Sequence, residues 1–271
     1  MMKFNLKHIA VALGLGALLA LTGCGESKDE QAQVLKVGVM AGPETELAEI
    51  ASKVAKEKYN LDVELVTFND YVTPNTALHD KSIDLNAFQH KPYLDAQVKD
   101  KGYQFAIAGN TLVYPIAAYS KSIKNISELK EGDKVALPND LTNLGRSLIL
   151  LEKQGLLKLK DNAGLTATAL DIVENPLNLE FVELPGAQLP HALNDVQLAV
   201  INNTFAGRAG LTAEKDSLFV EDKESPYVNL IVARQDNVND EKVKQFVQSY
   251  QTDAVFNKAL ELFDGGAVKG W

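Results

Sequence analysis

From Leu35 the chain alternates, with Leu35-Lys36-Val37-Gly38-Val39-Met40 placing apolar and small or polar side chains on opposite faces, the period-two pattern of a half-buried strand. Gly42 and Pro43 break it, and Leu47, Ile50, Ala51, Val54 and Ala55 then recur at the spacing of one helical face. Residues 63–68 read as a second strand, Asn69-Asp70-Tyr71 as a loop, and, after a short segment to Leu78, residues 83–90 as a third strand. Strand, helix, strand, helix, strand in this order predicts parallel pairing in an α/β fold.

Two apolar, β-rich pieces follow over residues 105–120, predicted to be separated at Gly109-Asn110, and the second contains Pro115. Proline inside a strand points to an edge or to a crossing between lobes. Residues 134–138 predict another strand, 139–143 a loop and 144–154 a helix, so the strand-loop-helix unit repeats in a second lobe. Residues 179–184, 198–201 and 228–233 read as strands, and Val243, Phe246, Val247 and Tyr250 fall at helical spacing in the last helices. The chain shows no internal repeat.

Ahead of Leu35 the pattern is different. Residues 25–33 are polar and charged apart from Ala32, the composition of a tether over 24–33. Lys3 and Lys7 precede an uncharged apolar run over residues 9–21, shorter than the ~20 residues that span a bilayer. Residues 1–23 are therefore expected to be an export signal. Leu21-Thr22-Gly23-Cys24 ends it with the only cysteine in the chain, and this resembles the lipobox of bacterial lipoproteins, in which the thiol is acylated, by palmitate among other chains, and the cysteine becomes the N-terminus. The other reading of these residues is a soluble secretory signal followed by an incidental free cysteine.

The signal holds two of the 27 basic residues and none of the 36 acidic ones, so the mature chain is expected to carry a net charge of −11. No basic run is present, which argues against a nucleic-acid partner. An acidic chain also gains nothing from an anionic bilayer, and membrane attachment would rest on the lipid at Cys24. With no second cysteine for a disulfide, stability has to come from buried apolar surface, and two modest cores suit this length.

Longer motifs carry a more specific likeness. Phe68-Asn69-Asp70-Tyr71, Asn86-Ala87-Phe88-Gln89-His90-Lys91-Pro92-Tyr93-Leu94, Pro138-Asn139-Asp140, Thr142-Asn143-Leu144-Gly145-Arg146-Ser147-Leu148 and Ser225-Pro226-Tyr227-Val228-Asn229-Leu230 resemble the NlpA family of methionine-binding lipoproteins, which serve bacterial D-/L-methionine ABC importers. The resemblance runs over nearly the whole mature chain to Gly270-Trp271. It implies a two-lobed periplasmic binding protein type II fold, with two mixed sheets flanked by helices and a ligand cleft between lobes joined by two crossing strands. Lobe 1 is expected over 34–116 plus 229–271 and lobe 2 over 117–228. The implied partners are methionine, L- and possibly D-, an ABC permease with its ATPase subunit, and the bilayer of the cell envelope on its periplasmic face. A monomer is expected.

The residue types fit that assignment. Thr142 or Asn143 can cap a helix whose N–H groups favour an anion, and Arg146, expected in the first turn, offers a planar donor fork to a carboxylate. Asn202 and Asn229, the latter expected within the second crossing, can each donate and accept, as a zwitterion requires. The resemblance implies that both hold the amino-acid moiety of the ligand. Phe68, Tyr71, Phe88, His90, Tyr93 and Tyr114 are expected to form the apolar half of the cleft, at strand ends where open α/β sheets bind ligands. His79, His90 and His191 lack paired spacing for a metal, and the chain has no Gly-x-Ser-x-Gly elbow or phosphate-binding loop, so no metal, no cofactor and no enzymatic activity are expected. The remaining alternatives are a receptor for another small apolar amino acid, a methionine peptide or a metal, and an enzyme on the same fold.

Overall fold

The computed structural model describes residues 34–222 and 224–271; the expected signal, the tether and Cys24 lie outside the described residues. In chain order the elements are β1 (Val34–Met40), α1 (Pro43–Tyr59), β2 (Asp62–Phe68), α2 (Thr73–His79), β3 (Leu85–His90), α3 (Lys91–Lys101), β4 (Phe105–Val113), β5 (Ala117–Tyr119), β6 (Lys134–Pro138) and α4 (Leu141–Lys153). They continue as β7 (Lys158–Leu159), β8 (Ile172–Glu174), β9 (Glu180–Leu184), α5 (Leu189–Ala192), β10 (Leu198–Ile201), α6 (Asn203–Arg208), α7 (Ala213–Asp216) and β11 (Ser217–Val220). The last are β12 (Val228–Arg234), α8 (Glu241–Tyr250), α9 (Asp253–Leu262) and β13 (Val268–Lys269).

The strands form two mixed sheets and a small β7–β8 hairpin. The first sheet has the order β13-β4-β12-β3-β1-β2 and the second β11-β5-β10-β6-β9. β1 pairs in parallel with β2 and β3, whereas β12 lies antiparallel to both β3 and β4. In the second sheet β6 is parallel to β10 and β9, and β5 is antiparallel to β10 and β11. The chain passes from one sheet to the other twice, over residues 114–116 and again over 221–227.

Local chemistry sets these elements. Pro43 opens α1 at a position whose N–H would be unpaired anyway, Glu44 and Glu46 sit at its positive end, and Lys56 and Lys58 at its negative end. Gly42, at φ 111°, makes the turn from β1 that a residue with a side chain would resist. Leu47, Ala48, Ala51 and Ala55 bury the inner face of α1 against the first sheet with Phe246 and Tyr250 of α8. A second core packs Leu144, Leu148 and Leu151 of α4 on Val135, Leu137 and Leu198 of the second sheet. A third cluster joins Met40, Phe88 and Tyr93 from the first sheet side to Ala117, Ile201 and Phe205 from the second.

Some expectations change. β4 runs unbroken through Gly109-Asn110 because its register with β12 shifts at that point, and the interruption falls instead at Tyr114-Pro115-Ile116, in the first passage between sheets. Pro115 lacks the N–H a ladder needs, which suits a passage better than a strand. Asn229 belongs to β12, paired with His90, and the second passage ends before it.

Candidate functional site

A cavity of about 350 Å³, counting its mouth, opens where the two passages leave the sheets. Tyr71, Phe88, Gln89, His90, Tyr93, Tyr114 and Asn229 line it from the first-sheet side, and Asn143, Arg146, Asn202, Asn203 and Thr204 from the second. Most of these residues lie at or just beyond the carboxyl ends of β2, β3, β6 and β10, where α/β sheets leave a crevice. Nine of the ten expected residues line it, the exception being Phe68. Phe68 ends β2 opposite Met40, and its ring packs beside Gly38 in the apolar interior behind the cavity.

A bulge explains how three consecutive residues of β3 reach one cavity. The register of β12 against β3 steps from Leu230↔Gln89 to Ile231↔Ala87, so Phe88 is the extra residue. Asn229 Nδ2 donates to the Phe88 carbonyl at 3.2 Å. Without the bulge, strict alternation would send Gln89 to the opposite face from Phe88 and His90. Gln89 itself is held from behind by a buried amide cluster, its Nε2 donating to Asn75 Oδ1 at 2.7 Å and its Oε1 accepting from Asn75 Nδ2 at 2.9 Å.

One end of the cavity is aromatic. The Tyr71 ring centroid lies 5.8 Å from Phe88, 6.2 Å from Tyr93 and 4.8 Å from Phe205, with tilted or edge-on geometry. Tyr93 Oη donates to the Tyr71 carbonyl at 2.8 Å, which ties the loop after β2 to α3.

The other end is polar and largely prearranged. The N-cap of α4 is Asp140, which accepts from the Asn143 N–H at 3.0 Å; neither Thr142 nor Asn143 takes that position. The helix thus begins at Leu141 and Arg146 falls in its second turn, beyond the strongest reach of the macrodipole. Asn143 Nδ2 donates to both Asp140 oxygens at 3.0 Å, which orients its Oδ1 toward Asn202 Nδ2 at 2.8 Å and His90 Nε2 at 3.2 Å. His90 Nδ1 accepts from the Tyr93 N–H at 3.2 Å, so the ring proton sits on Nε2 and is donated to Asn143. Burial, with Arg146 adding to it, lowers the His90 pKa to about 3, and the imidazole is neutral. His90 was expected in the apolar half; both its nitrogens work instead in the polar half and tie β3 to α4.

Arg146 is 4% exposed and its fork is already occupied. Nε donates to Glu221 Oε1 at 2.9 Å, Nη2 to Glu221 Oε2 and also to the Tyr114 carbonyl at 3.0 Å. The guanidinium lies 4.2 Å over the Tyr227 ring. Among the described residues no group accepts from Nη1. Glu221, Gln89, Asn203 and Thr204 are not singled out by the sequence. Glu221 is 75 residues from its partner, and no local spacing signals such a pair.

Two buried polar atoms at this end have no partner among the described residues, Asn202 Oδ1 and Tyr227 Oη. Orphans of this kind are costly unless something else satisfies them.

The chain is similar to known proteins over nearly its whole length. The family model for NlpA lipoprotein matches residues 35–271. The chain is 62% identical over 270 residues to the probable D-methionine-binding lipoprotein MetQ of Vibrio cholerae, covering all of both chains. It is 60% identical over 272 residues to the D-methionine-binding lipoprotein MetQ of Escherichia coli, again covering all of both. A crystal structure of a methionine binding protein, MetQ, superposes with a TM-score of 0.87 at 63% identity, over 88% of this chain and 98% of that one. A nutrient binding protein from Burkholderia cenocepacia bound to methionine gives 0.85 at 46% identity, over 88% and 100%. The chain belongs to the NlpA lipoprotein family.

Proposed function

We propose that this chain is the substrate-binding lipoprotein of an ABC importer and that it captures methionine in the cavity between its two sheets. The observation that carries the reading is the division of the cavity into an aromatic end and a polar end with unsatisfied acceptors. Asn202 Oδ1 suits an α-ammonium, and the Nη1 of Arg146 suits an α-carboxylate. Tyr71, Phe88 and Tyr93 suit a thioether, whose burial is worth ~1.5–3 kcal/mol against ~0.3–1.5 kcal/mol for a sulfur–aromatic contact. Burial therefore sets affinity, and the polar end sets orientation.

Capture works by hinge closure about residues 114–116 and 221–227, with lobe 1 over 34–116 plus 229–271 and lobe 2 over 117–228. The ligand stabilises the closed arrangement by its differential affinity for it. Acylation of Cys24 confines the receptor to the membrane beside a permease driven by a separate ATPase, and the protein carries methionine without transforming it. The sequence identity to methionine-binding lipoproteins supports this assignment.

Isothermal titration with L- and D-methionine tests it. One-to-one binding that fails for charged amino acids is expected, with Asn229→Ala losing binding while keeping its circular dichroism spectrum and cooperative melt. Absence of methionine binding by the unchanged protein overturns the proposal.

A further inference from the structure

Away from the ligand-facing groups, the two sides of the molecule meet a second time where the N-terminus of α1 abuts α6. Glu44, in the first turn of α1, is 3% exposed and accepts a hydrogen bond from Thr204 Oγ1, itself 4% exposed. Its second oxygen, Oε2, has no partner among the described residues. The helices approach closely because both carry glycine at the contact. A Cβ on Gly207 would meet Pro43 Cγ at 2.9 Å, and one on Gly42 would meet Arg208 Cγ at 2.7 Å. Arg208 Nη1 reaches back to the Asn69 carbonyl at 3.3 Å.

This junction shares its parts with the cavity. Thr204 lines the cavity wall, and α6 begins directly after Asn202. The element that Glu44 grips is therefore the one that carries two cavity residues, Asn203 and Thr204, and directly follows a third, Asn202.

We infer that Glu44 is a positioning residue for ligand capture: it holds α6 to α1 through Thr204, so that closing the cavity seals the Glu44 carboxyl in and takes up a proton. The inference rests on the methionine reading above.

The physical cause is burial of a carboxyl with one unpaired oxygen. Burial raises the Glu44 pKa to about 7, opposed by the hydrogen bond from Thr204 and by Arg208. The groups facing it are Arg208 from α6, Tyr71 after β2, Tyr114 in the first passage and Tyr250 from α8. Burial raises the three tyrosines, which stay neutral below pH 9, so Arg208 is the fixed charge nearby. When α6 moves off, Thr204 and Arg208 leave with it and water reaches the carboxyl, returning it toward the ordinary glutamate value of 4.5. A group with the higher pKa in the closed form favours closure at low pH, and that advantage is lost as pH rises through about 7.

The test is methionine affinity by calorimetry on the full mature chain from pH 5.5 to 8.5, for the unchanged protein and Glu44→Gln. His90, buried neutral, pushes affinity the other way below pH 6.5, but it does so in both proteins, so their ratio isolates Glu44. The expected result is a ratio of Glu44→Gln affinity to that of the unchanged protein that rises on the order of tenfold between pH 5.5 and pH 8.5 and levels off above about pH 7. Thr204→Val should weaken binding across the range. Titration of the Glu44 carboxyl by carbon-13 NMR, assigned by its loss in Glu44→Gln, is expected to move from the ordinary glutamate range without ligand to near pH 7 with methionine bound. A constant affinity ratio, or a carboxyl midpoint that methionine does not raise, overturns the inference while leaving the methionine reading intact. No methionine binding at any pH overturns both.

Discussion

The two ends of the cavity are built on opposite principles. At the aromatic end Tyr71, Phe88, Tyr93 and Phe205 touch by ring edges and faces, with one hydrogen bond, Tyr93 Oη to the Tyr71 carbonyl, among them. At the polar end directed bonds form two sets, one joining Asp140 and Asn143 to His90 and Asn202 and the other joining Arg146 to Glu221, in which nearly every donor has a fixed acceptor. Ring packing tolerates small displacement because dispersion is non-directional, whereas a hydrogen bond weakens steeply as its angle opens. The aromatic end can therefore adapt to a flexible thioether, and the polar end cannot adapt without losing several bonds together. Orientation and selection belong to the second, and most of the burial energy to the first.

Breaking the polar end should have the largest effect. Arg146→Ala removes the group over Tyr227 and leaves Glu221, whose side chain is 10% exposed, buried without its partner. Methionine affinity is expected to fall by ~2–5 kcal/mol, the range for truncating one side of a buried charge pair. If calorimetry finds it unchanged, the orientation role assigned to this end is wrong. Arg146→Ala combined with Glu221→Ala should recover stability but not affinity, which separates the structural cost from the binding cost.

At the aromatic end, Phe88→Ala should cost ~1.5–3 kcal/mol of methionine affinity, in proportion to the apolar surface lost, and Phe88→Leu much less. A large loss for Phe88→Leu would mean that ring geometry, and not burial, decides this end. The comparison would then have to be redrawn.

A smaller effect lies in pH. His90 is neutral in the folded chain with its pKa lowered to about 3, against an ordinary 6.5, so the folded form binds the proton less readily than the unfolded one. The stabilisation is complete above pH 6.5 and is lost progressively as pH falls toward about 3. Glu44 acts in the opposite sense, and the reading is therefore taken as a difference between proteins. Stability of the unchanged protein relative to His90→Gln, from urea unfolding, should decline by about 2 kcal/mol between pH 8 and pH 5. A constant difference would place His90 in contact with solvent and loosen the link from β3 to α4.

Much of this molecule was legible in the sequence where periodicity or a local motif does the work. The strands over 134–138 and 198–201 and the face of α1 through Leu47, Ala51 and Ala55 follow from patterning, and both are as read. The cap of α4 was misplaced because Asp140, Thr142 and Asn143 are all good caps, and only backbone geometry selects Asp140. β4 was split because glycine and asparagine usually mark a turn, yet a register shift against β12 accommodates them inside a strand. Phe68 and Phe88 carry the same chemistry and both follow apolar runs; the bulge at Phe88 puts one into the cavity while β2 ends without one. The Glu221 and Thr204 contacts, 75 and 160 residues from their partners, depend on how the two sheets meet and leave no mark in local spacing.

The central claim is that this cavity holds one methionine, aromatic end to the thioether and polar end to the zwitterion. Native mass spectrometry of the mature protein, purified without added amino acids and then titrated with L-methionine, measures this most directly. The account predicts a single adduct with the mass of one methionine, present on purification or appearing stoichiometrically on addition, and lost in Arg146→Ala. A protein that stays free of methionine throughout the titration, or that carries a ligand of different mass that methionine cannot displace, would contradict it.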